Sequence, residues 1–169
     1  EYTVGNSVLD FVYFTTDLTN LITYGNNTHA NASGTSNRHG AEIKFNSMIS
    51  DNVYWRNSAT FTVAEDNNGT SVVRRPKWLG LTAIDHKKDS WTNTVEYLHT
   101  GSHLDIDSVT YARTMKPAVG VVNLHTSKVI NEKSDVVLSV NNAFDKTYDR
   151  PDGYAQHGRN MLLTYKLKF

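Results

Sequence analysis

Along most of this chain apolar and polar residues alternate, and no stretch keeps a 3.6-residue apolar period. The connections between the alternating segments are by turns short and then long and polar. These three observations predict an all-β fold, an antiparallel transmembrane β-barrel with about eight strands in this chain. Alternation with a period of two gives each strand one apolar face and one polar face, as a wall between lipid and water requires. A soluble sandwich has no reason to sort its connections by length, whereas a transmembrane barrel does.

Eight segments carry the strand pattern. Residues 8–15, 78–85 and 118–127 alternate less cleanly than the other five. The five clear segments place aliphatic or aromatic residues on one face and polar or charged residues on the other. In chain order their apolar faces are Ala41, Ile43 and Phe45; Val53, Trp55, Ala59, Phe61 and Val63; Trp91, Val95 and Tyr97; Val136, Leu138 and Val140; and Met161, Leu163, Tyr165, Leu167 and Phe169.

The connections between the predicted strands fall into two length classes. Outer-membrane barrels place their short turns in the periplasm, so both ends of this chain are expected on the periplasmic side. Arg56, Glu96 and Lys166 fall on polar faces and are expected to face the lumen, because lipid-facing charge at mid-membrane costs about 2–4 kcal/mol. The tight connections are residues 49–52, 86–89 and 130–134, and the long ones are 17–38, 65–76, 101–115 and 143–157.

Composition excludes several classes of function. The 17 basic and 17 acidic residues balance, so nothing points to nucleic acid, and the absence of cysteine excludes disulfides and thiolate metal sites. The seven histidines are scattered without a strong metal-site spacing, and no catalytic motif is present, so we expect no metal, no cofactor and no enzyme. Two oxygen-rich segments, residues 105–108 and 145–152, are compatible with calcium, although solvated loop charge is the default interpretation.

One segment near the end is distinctive. Residues 141–148 read Asn-Asn-Ala-Phe-Asp-Lys-Thr-Tyr and resemble the N-N-L-F-D-K-x-Y signature of TonB-dependent receptors. Gly-Tyr at 153–154 and Gly-Arg-Asn at 158–160 follow in the order of that family, before an alternating terminal strand. Most of this motif is expected to serve folding, with Phe144 and Tyr148 anchoring an aromatic girdle or packing under the loop.

Earlier segments are similar to the same family. Residues 17–24 resemble its D-I-x-D-L-I-x-Y strand end, residues 37–42 a strand start, and residues 74–77 its R-R-P-K entry to the next strand. The order resembles most the vitamin B12 transporter and siderophore-receptor group. The resemblance implies that residues 1–169 are the C-terminal part of a larger barrel of about 22 strands, with the plug domain absent from this chain.

The function that the resemblance implies is uptake of a scarce, bulky nutrient, cobalamin or a ferric siderophore, across the bacterial cell outer membrane. TonB would energise the full protein and contact it only through the missing plug. The other implied partners are outer-membrane lipid, a small-molecule ligand, and the barrel-assembly machinery through the terminal strand ending in Phe169. Because aromatic rings offer area and arginine offers charge-assisted bonds, the candidate ligand-binding residues are Tyr24, Tyr148, Arg150 and Tyr154.

Two alternatives stay open at this point. Eight strands could close on themselves into a small outer-membrane barrel that acts as an anchor or surface receptor. The larger barrel is favoured, because residue 1 begins almost inside a strand and the expected lumen residues include small Thr and Ser rather than bulky side chains. The second alternative is a soluble β-sandwich binding module, which could show similar alternation.

Overall fold

The computed structural model describes residues 1–25 and 28–168, with the side chains of residues 23–25 outside the description. These residues form thirteen strands and no helix, and hence no helix long and apolar enough to cross a membrane. The strands are β1 (Tyr2–Val4), β2 (Ser7–Thr19), β3 (Ile22–Gly25), β4 (Thr28–Asn31), β5 (Thr35–Ser50), β6 (Val53–Glu65), β7 (Trp78–Lys88), β8 (Trp91–Thr100), β9 (His103–Ile106), β10 (Arg113–Lys116), β11 (Val119–Asn131), β12 (Ser134–Asn141) and β13 (Asn160–Leu167).

Nine of the strands form a single antiparallel sheet. Its order is β1-β2-β5-β6-β7-β8-β11-β12-β13, so each strand pairs with the next one along the sheet. The remaining four strands form two small hairpins, β3–β4 and β9–β10, within the long connections. The eight predicted strands are confirmed, since each corresponds to one long strand of this sheet. β1 and the two hairpins were not predicted, because segments of three or four residues are too short to show a period.

The connections separate by length, as predicted. Residues 51–52, 89–90 and 132–133 are two-residue turns, and a fourth turn, Gly5 and Asn6, joins β1 to β2 at the same end. Gly5 has a φ of 54°, a conformation that glycine adopts without steric cost. The opposite end carries the four long connections, residues 20–34, 66–77, 101–118 and 142–159. We call these the turn end and the loop end of the sheet.

Strand pairing brings the apolar faces of all the strands to one side. Along one row of directly paired residues lie Trp55, Ile84, Val95, Leu124 and Val140. We call this side the apolar face. A single-residue slip at any strand would have moved its apolar residues to the other side.

The opposite side is the polar face, and it carries the three charged residues predicted to face the lumen. Arg56 Nε donates to Asp85 Oδ2 at 2.6 Å, and Thr94 Oγ1 donates to Asp85 Oδ1 at 2.6 Å. Asn123 Nδ2 donates to Glu96 Oε1 at 3.0 Å in the neighbouring strands. Lys166 forms a longer ion pair with Asp135, with an N–O distance of 3.8 Å. Each of these three charged side chains therefore has a partner in an adjacent strand.

The apolar face has no protein covering within the described residues. Among the described residues, Ala83 is the only buried apolar side chain. Large side chains of the apolar face such as Phe11 and Leu163 are 65% and 70% exposed. An uncovered apolar surface of this extent requires an apolar medium or a partner. A soluble sandwich would bury this face against a second sheet, and the nine-stranded sheet has none in the described part of the chain.

The sheet is open at both edges. β1 pairs only with β2, and β13 pairs only with β12, throughout residues 1–25 and 28–168. A small barrel closed on itself would need pairing between the first and last strands of the sheet, and the described residues show none. Phe169, expected to end the terminal strand, lies outside the described residues.

Candidate functional site

Three of the long connections, residues 66–77, 101–118 and 142–159, meet at the loop end. Their contact depends on a buried carboxylate, Asp105 in β9, which has an exposed fraction of 0%. Its Oδ1 accepts hydrogen bonds from Arg74 Nε at 2.7 Å and from the backbone amide of Ile106 at 2.8 Å. Its Oδ2 accepts the backbone amide of Asp152 at 2.8 Å. One side chain therefore joins all three loops.

The ionised form of Asp105 is the one this arrangement stabilises. Burial by itself opposes ionisation and would raise the pKa of the carboxyl group. The Arg74 guanidinium and the amides of Ile106 and Asp152 outweigh burial, so the pKa of Asp105 lies below its usual value. Asp105 is therefore charged at any physiological pH.

A second carboxylate, Asp152, adds another link between two of these loops. Its Oδ1 accepts a hydrogen bond from Lys116 Nζ, and its Oδ2 accepts the backbone amide of Ser108 at 2.9 Å. Lys116 also lies 3.7 Å from Asp149 Oδ2. The Lys116 hydrogen bond, followed by those from Ser108, lowers the pKa of Asp152 to about 2. The next residue, Gly153, has a φ of 77°, and a β-carbon there would lie 2.8 Å from Ser108 Oγ.

The signature segment of residues 141–148 forms a compact turn that begins the 142–159 loop. Asn142 has a φ of 50°, and its side chain donates to the carbonyls of Lys146 at 2.8 Å and His157 at 3.2 Å. Its Oδ1 accepts the amide of Lys146 at 2.8 Å. Asp145 Oδ1 accepts the amide of Arg159 at 2.7 Å. The segment thus closes the loop on itself, which gives the motif a folding role.

Glycine at position 158 leaves room for this closure. A β-carbon at Gly158 would lie 2.7 Å from Asp145 Oδ1, too close for an ordinary contact. Phe144 in the same segment is 79% exposed, so the expectation that it packs under the loop is wrong. Tyr148 is half-buried and lines a cavity on the polar side of the sheet.

Two adjoining cavities lie on the polar side of the sheet, beneath these loops. The first has a volume of about 270 Å³ and is bounded by β8, β11, the ends of β12 and β13, and the 142–159 loop. The second, of about 390 Å³, lies between the start of β11 and the two loops at 101–118 and 142–159. Tyr148 and Arg150 line both cavities, together with Thr100 and Val119.

The second cavity is rich in cations. The cations Lys116, Lys146 and Arg150 line it beside the ring of His103, and Asp149 is the acidic residue in its wall. Lys116 is held by Asp152 and Asp149. Within residues 1–25 and 28–168, the guanidinium of Arg150 makes no ion pair or hydrogen bond, although it also borders a small cavity beside Arg74. A positively charged, uncommitted donor therefore faces the cavities.

The four predicted ligand-binding residues are only partly brought together. Tyr148 and Arg150 share the cavities described above. Tyr154 lies on the same loop, its carbonyl accepting the amide of Arg150 at 2.9 Å, but its side chain is 68% exposed and lines neither cavity. Tyr24 lies in β3 opposite His29, and its side chain is outside the described part of the structure.

Sequence reasoning missed several residues of this site. Lys116 gave no signal, because it is a single lysine with no motif around it, and His103 was set aside as a scattered histidine. Lys146 lies inside the signature segment, whose residues are predicted to serve folding and not ligand binding. The acids of residues 105–108 and 145–152 were noted as oxygen-rich, yet Asp105 and Asp152 hold Arg74, Lys116 and backbone amides. Among the described residues no group of three or more His, Cys, Asp or Glu is placed to hold a metal ion.

The fold of this chain is similar to parts of several solved receptor structures. No family model matches the chain. The ferric yersiniabactin uptake receptor of Yersinia pestis superposes on 99% of the chain with a TM-score of 0.81 and 17% identity. The ferripyoverdine receptor of the outer membrane of Pseudomonas aeruginosa superposes on 100% with a TM-score of 0.79 and 18% identity. The chain has the fold of part of a TonB-dependent receptor barrel.

A third receptor barrel agrees with these two. The ferric-catecholate import receptor Fiu of E. coli K12 superposes on 97% of the chain, with a TM-score of 0.73 and 20% identity. The chain spans 28%, 26% and 25% of the lengths of the three receptors, in the order given. A nine-stranded open sheet with bare edges is the form that a portion of such a receptor barrel takes.

Proposed function

We propose that this chain is the C-terminal part of an outer-membrane receptor that binds and takes up a ferric siderophore, in a barrel completed by further strands. The observation that carries the proposal is that Tyr148 and Arg150 line two adjoining cavities on the polar face, under loops joined by Asp105. The fold of the receptor barrels supports the membrane location. Their ligands, as named for the three receptors above, support a ferric chelate over cobalamin.

The chemistry of the cavities suits an anionic, oxygen-rich chelate. Arg150 presents a planar guanidinium that can donate two parallel hydrogen bonds to carboxylate, hydroxamate or catecholate oxygens. Tyr148 offers ring area beside it, and Lys146 adds positive charge. The cavities in this chain form one wall of the site, since the remaining barrel strands would supply the other walls.

The test measures ligand binding by the full-length receptor in detergent, with tryptophan fluorescence as the readout. The probes are a ferric catecholate, a ferric hydroxamate and cyanocobalamin. Arg150→Ala combined with Tyr154→Ala should weaken binding of a ferric chelate by about tenfold to a hundredfold, the range for losing a charge-assisted hydrogen bond. Because Tyr154 lies outside the cavities, most of this loss should come from Arg150. Assembly into the outer membrane should be unchanged.

Arg159→Ala is the matched control, since its side chain is exposed on the same loop and lines neither cavity. Equal affinity in the double variant and the parent would contradict the role of these residues. If the receptor bound cyanocobalamin and neither ferric chelate, the ligand would be cobalamin and not a siderophore. A receptor that sits in the outer membrane and binds none of the probes would favour an anchor or surface-receptor role.

Energised transport is a further part of the proposal. TonB would act through a plug domain of the full-length receptor, and the assembly machinery would engage the free edge of β13. Uptake of the radiolabelled chelate should therefore stop in a strain without TonB while surface binding persists. Uptake that continues in that strain would show that the receptor works by another route.

A further inference from the structure

The turn end of the apolar face carries a row of three side chains that differs from the rest of that face. Lys88 at the end of β7 lies directly opposite Trp91 in β8, which in turn lies opposite Lys128 in β11. The ammonium of Lys128 lies 4.9 Å from the centroid of the Trp91 ring. Two lysines thus flank one indole across three neighbouring strands.

This row is on the apolar face because strand alternation places it there. Lys88 has the same parity as Ile84, Trp91 the same as Val95, and Lys128 the same as Leu124, which form one row of the apolar face. Lys87, the neighbour of Lys88, points to the polar face instead. The cations therefore lie at the boundary of the uncovered apolar surface, since Lys88 directly precedes the turn of residues 89–90 and Lys128 precedes the residue whose amide donates to Ser90.

The groups change in a fixed order from the turn end toward the middle of the face. The row of cations and indole comes first. The next row contains His86, Asn93 and Thr126, and Thr126 Oγ1 donates to Asn93 Oδ1 at 2.6 Å. Aliphatic side chains follow at Ile84, Val95 and Leu124. Charged groups, then polar groups, then hydrocarbon is also the order of a phospholipid from its phosphate through its glycerol esters to its acyl chains.

Both lysines keep their charge available. Neither Lys88 nor Lys128 forms an ion pair with any acid of the described residues, whereas Lys166 at the same end pairs with Asp135. Asp89 in the adjoining turn is exposed and lies in no ion pair with them. Adjacent strands are about 4.8 Å apart, so the two lysine backbones are separated by about 10 Å, room for one phosphate between flexible stems.

We propose that the row Lys88–Trp91–Lys128 binds the phosphate headgroup of one anionic phospholipid of the phosphatidylglycerol class in the periplasmic leaflet. Its acyl chains lie along Ile84, Val95 and Leu124. Two cations beside an indole favour a headgroup with net negative charge over phosphatidylethanolamine, whose ammonium group they repel. The inference rests on the proposed function only in that the apolar face lies against outer-membrane lipid.

The test is native mass spectrometry of the full-length receptor released from detergent with equal amounts of phosphatidylglycerol and phosphatidylethanolamine. The parent should retain one phosphatidylglycerol molecule in preference. A lysine near an anionic lipid surface strengthens binding about fivefold, so Lys88→Gln with Lys128→Gln should lower phosphatidylglycerol retention by about 25-fold. Lys87→Gln with Lys133→Gln removes two lysines from the same end, outside the row, and should change retention less than twofold.

Three results would overturn the proposal: unchanged retention in the Lys88/Lys128 variant, an equal loss in the Lys87/Lys133 control, or no preference between the two lipids in the parent. The equal loss would mean that general positive charge, and no specific row, attracts the lipid. Membrane fractionation and ferric-chelate binding are measured on the same samples. A receptor absent from the outer membrane fails the proposed function, whereas normal location and ligand binding without lipid selectivity fails this inference alone.

Discussion

The buried carboxylate of Asp105 gives the sharpest prediction about the loop end. In Asp105→Asn the shape of the side chain is kept, but one acceptor oxygen becomes an amide donor. Oδ1 at present accepts from Arg74 and Ile106, and Oδ2 accepts from Asp152. Either orientation of the new amide therefore sets a donor against a donor in a site with no exposure to solvent.

The magnitude follows from two losses. A hydrogen bond to a charged group contributes about 1.5–3 kcal/mol, and an unsatisfied buried donor costs about 1–3 kcal/mol. The side chain of Arg74 is 48% exposed and can recover water, so the lower end of each range applies, together about 2.5–3 kcal/mol. This corresponds to an increase of about a hundredfold in the opening of the three loops, at 1.4 kcal/mol for each factor of ten.

Hydrogen–deuterium exchange of the full-length receptor, resolved by peptide, measures this opening. Peptides from residues 66–77, 101–118 and 142–159 should all exchange faster in Asp105→Asn, while peptides from β6 and β7 should keep their rates. Asp107→Asn is the control, because the hydrogen bonds that the structure gives to the Asp107 carboxylate come from residues 109 and 110 in its own turn. Unchanged exchange in the 142–159 loop of Asp105→Asn would refute the idea that one carboxylate joins the loops.

Two further predictions concern the second carboxylate and the apolar face. The pKa of Asp152 is about 2 in the folded protein and about 4 in an unfolded chain, so its contribution is complete above about pH 4 and disappears as the pH falls toward 2. Hydrogen–deuterium exchange in the 142–159 loop, corrected for intrinsic rates, should be constant from pH 8 to 5 and rise below pH 4. The Asp152→Asn variant should lack the part of this rise that the carboxylate causes. An identical pH profile in the variant and the parent would contradict the role given to Asp152. On β12, Leu138→Lys on the apolar face should lower the free energy of unfolding in lipid vesicles by about 2–4 kcal/mol, and Val137→Lys on the polar face by less than about 1 kcal/mol. Equal costs at the two positions, measured by urea unfolding, would show that the faces are assigned wrongly.

The strands, their two faces and the ends at which the turns and loops lie could all be predicted from the sequence. These features depend on local order, since a period of two assigns residues to alternate faces wherever a strand is long enough. Trp55 and Arg56 are adjacent residues on opposite faces, and alternation alone places them there. The same local order could not detect β1 or the hairpins, whose three or four residues hold at most two full periods.

Which side chains contact one another across the loops could not be predicted from the sequence and is seen in the folded chain. Asp105 binds Arg74 at a separation of 31 residues and the amide of Asp152 at a separation of 47 residues. Tyr148 and Arg150 came out of the sequence as candidates, but their cavities exist because β8 and β11 pair and the 142–159 loop folds over them. Tyr154, equally aromatic and only six residues from Tyr148, lines neither cavity. The sequence shows the type of each residue. Contacts between loops depend on strand register and on the path of each loop, and a local hydrophobic period predicts neither loop path nor contact.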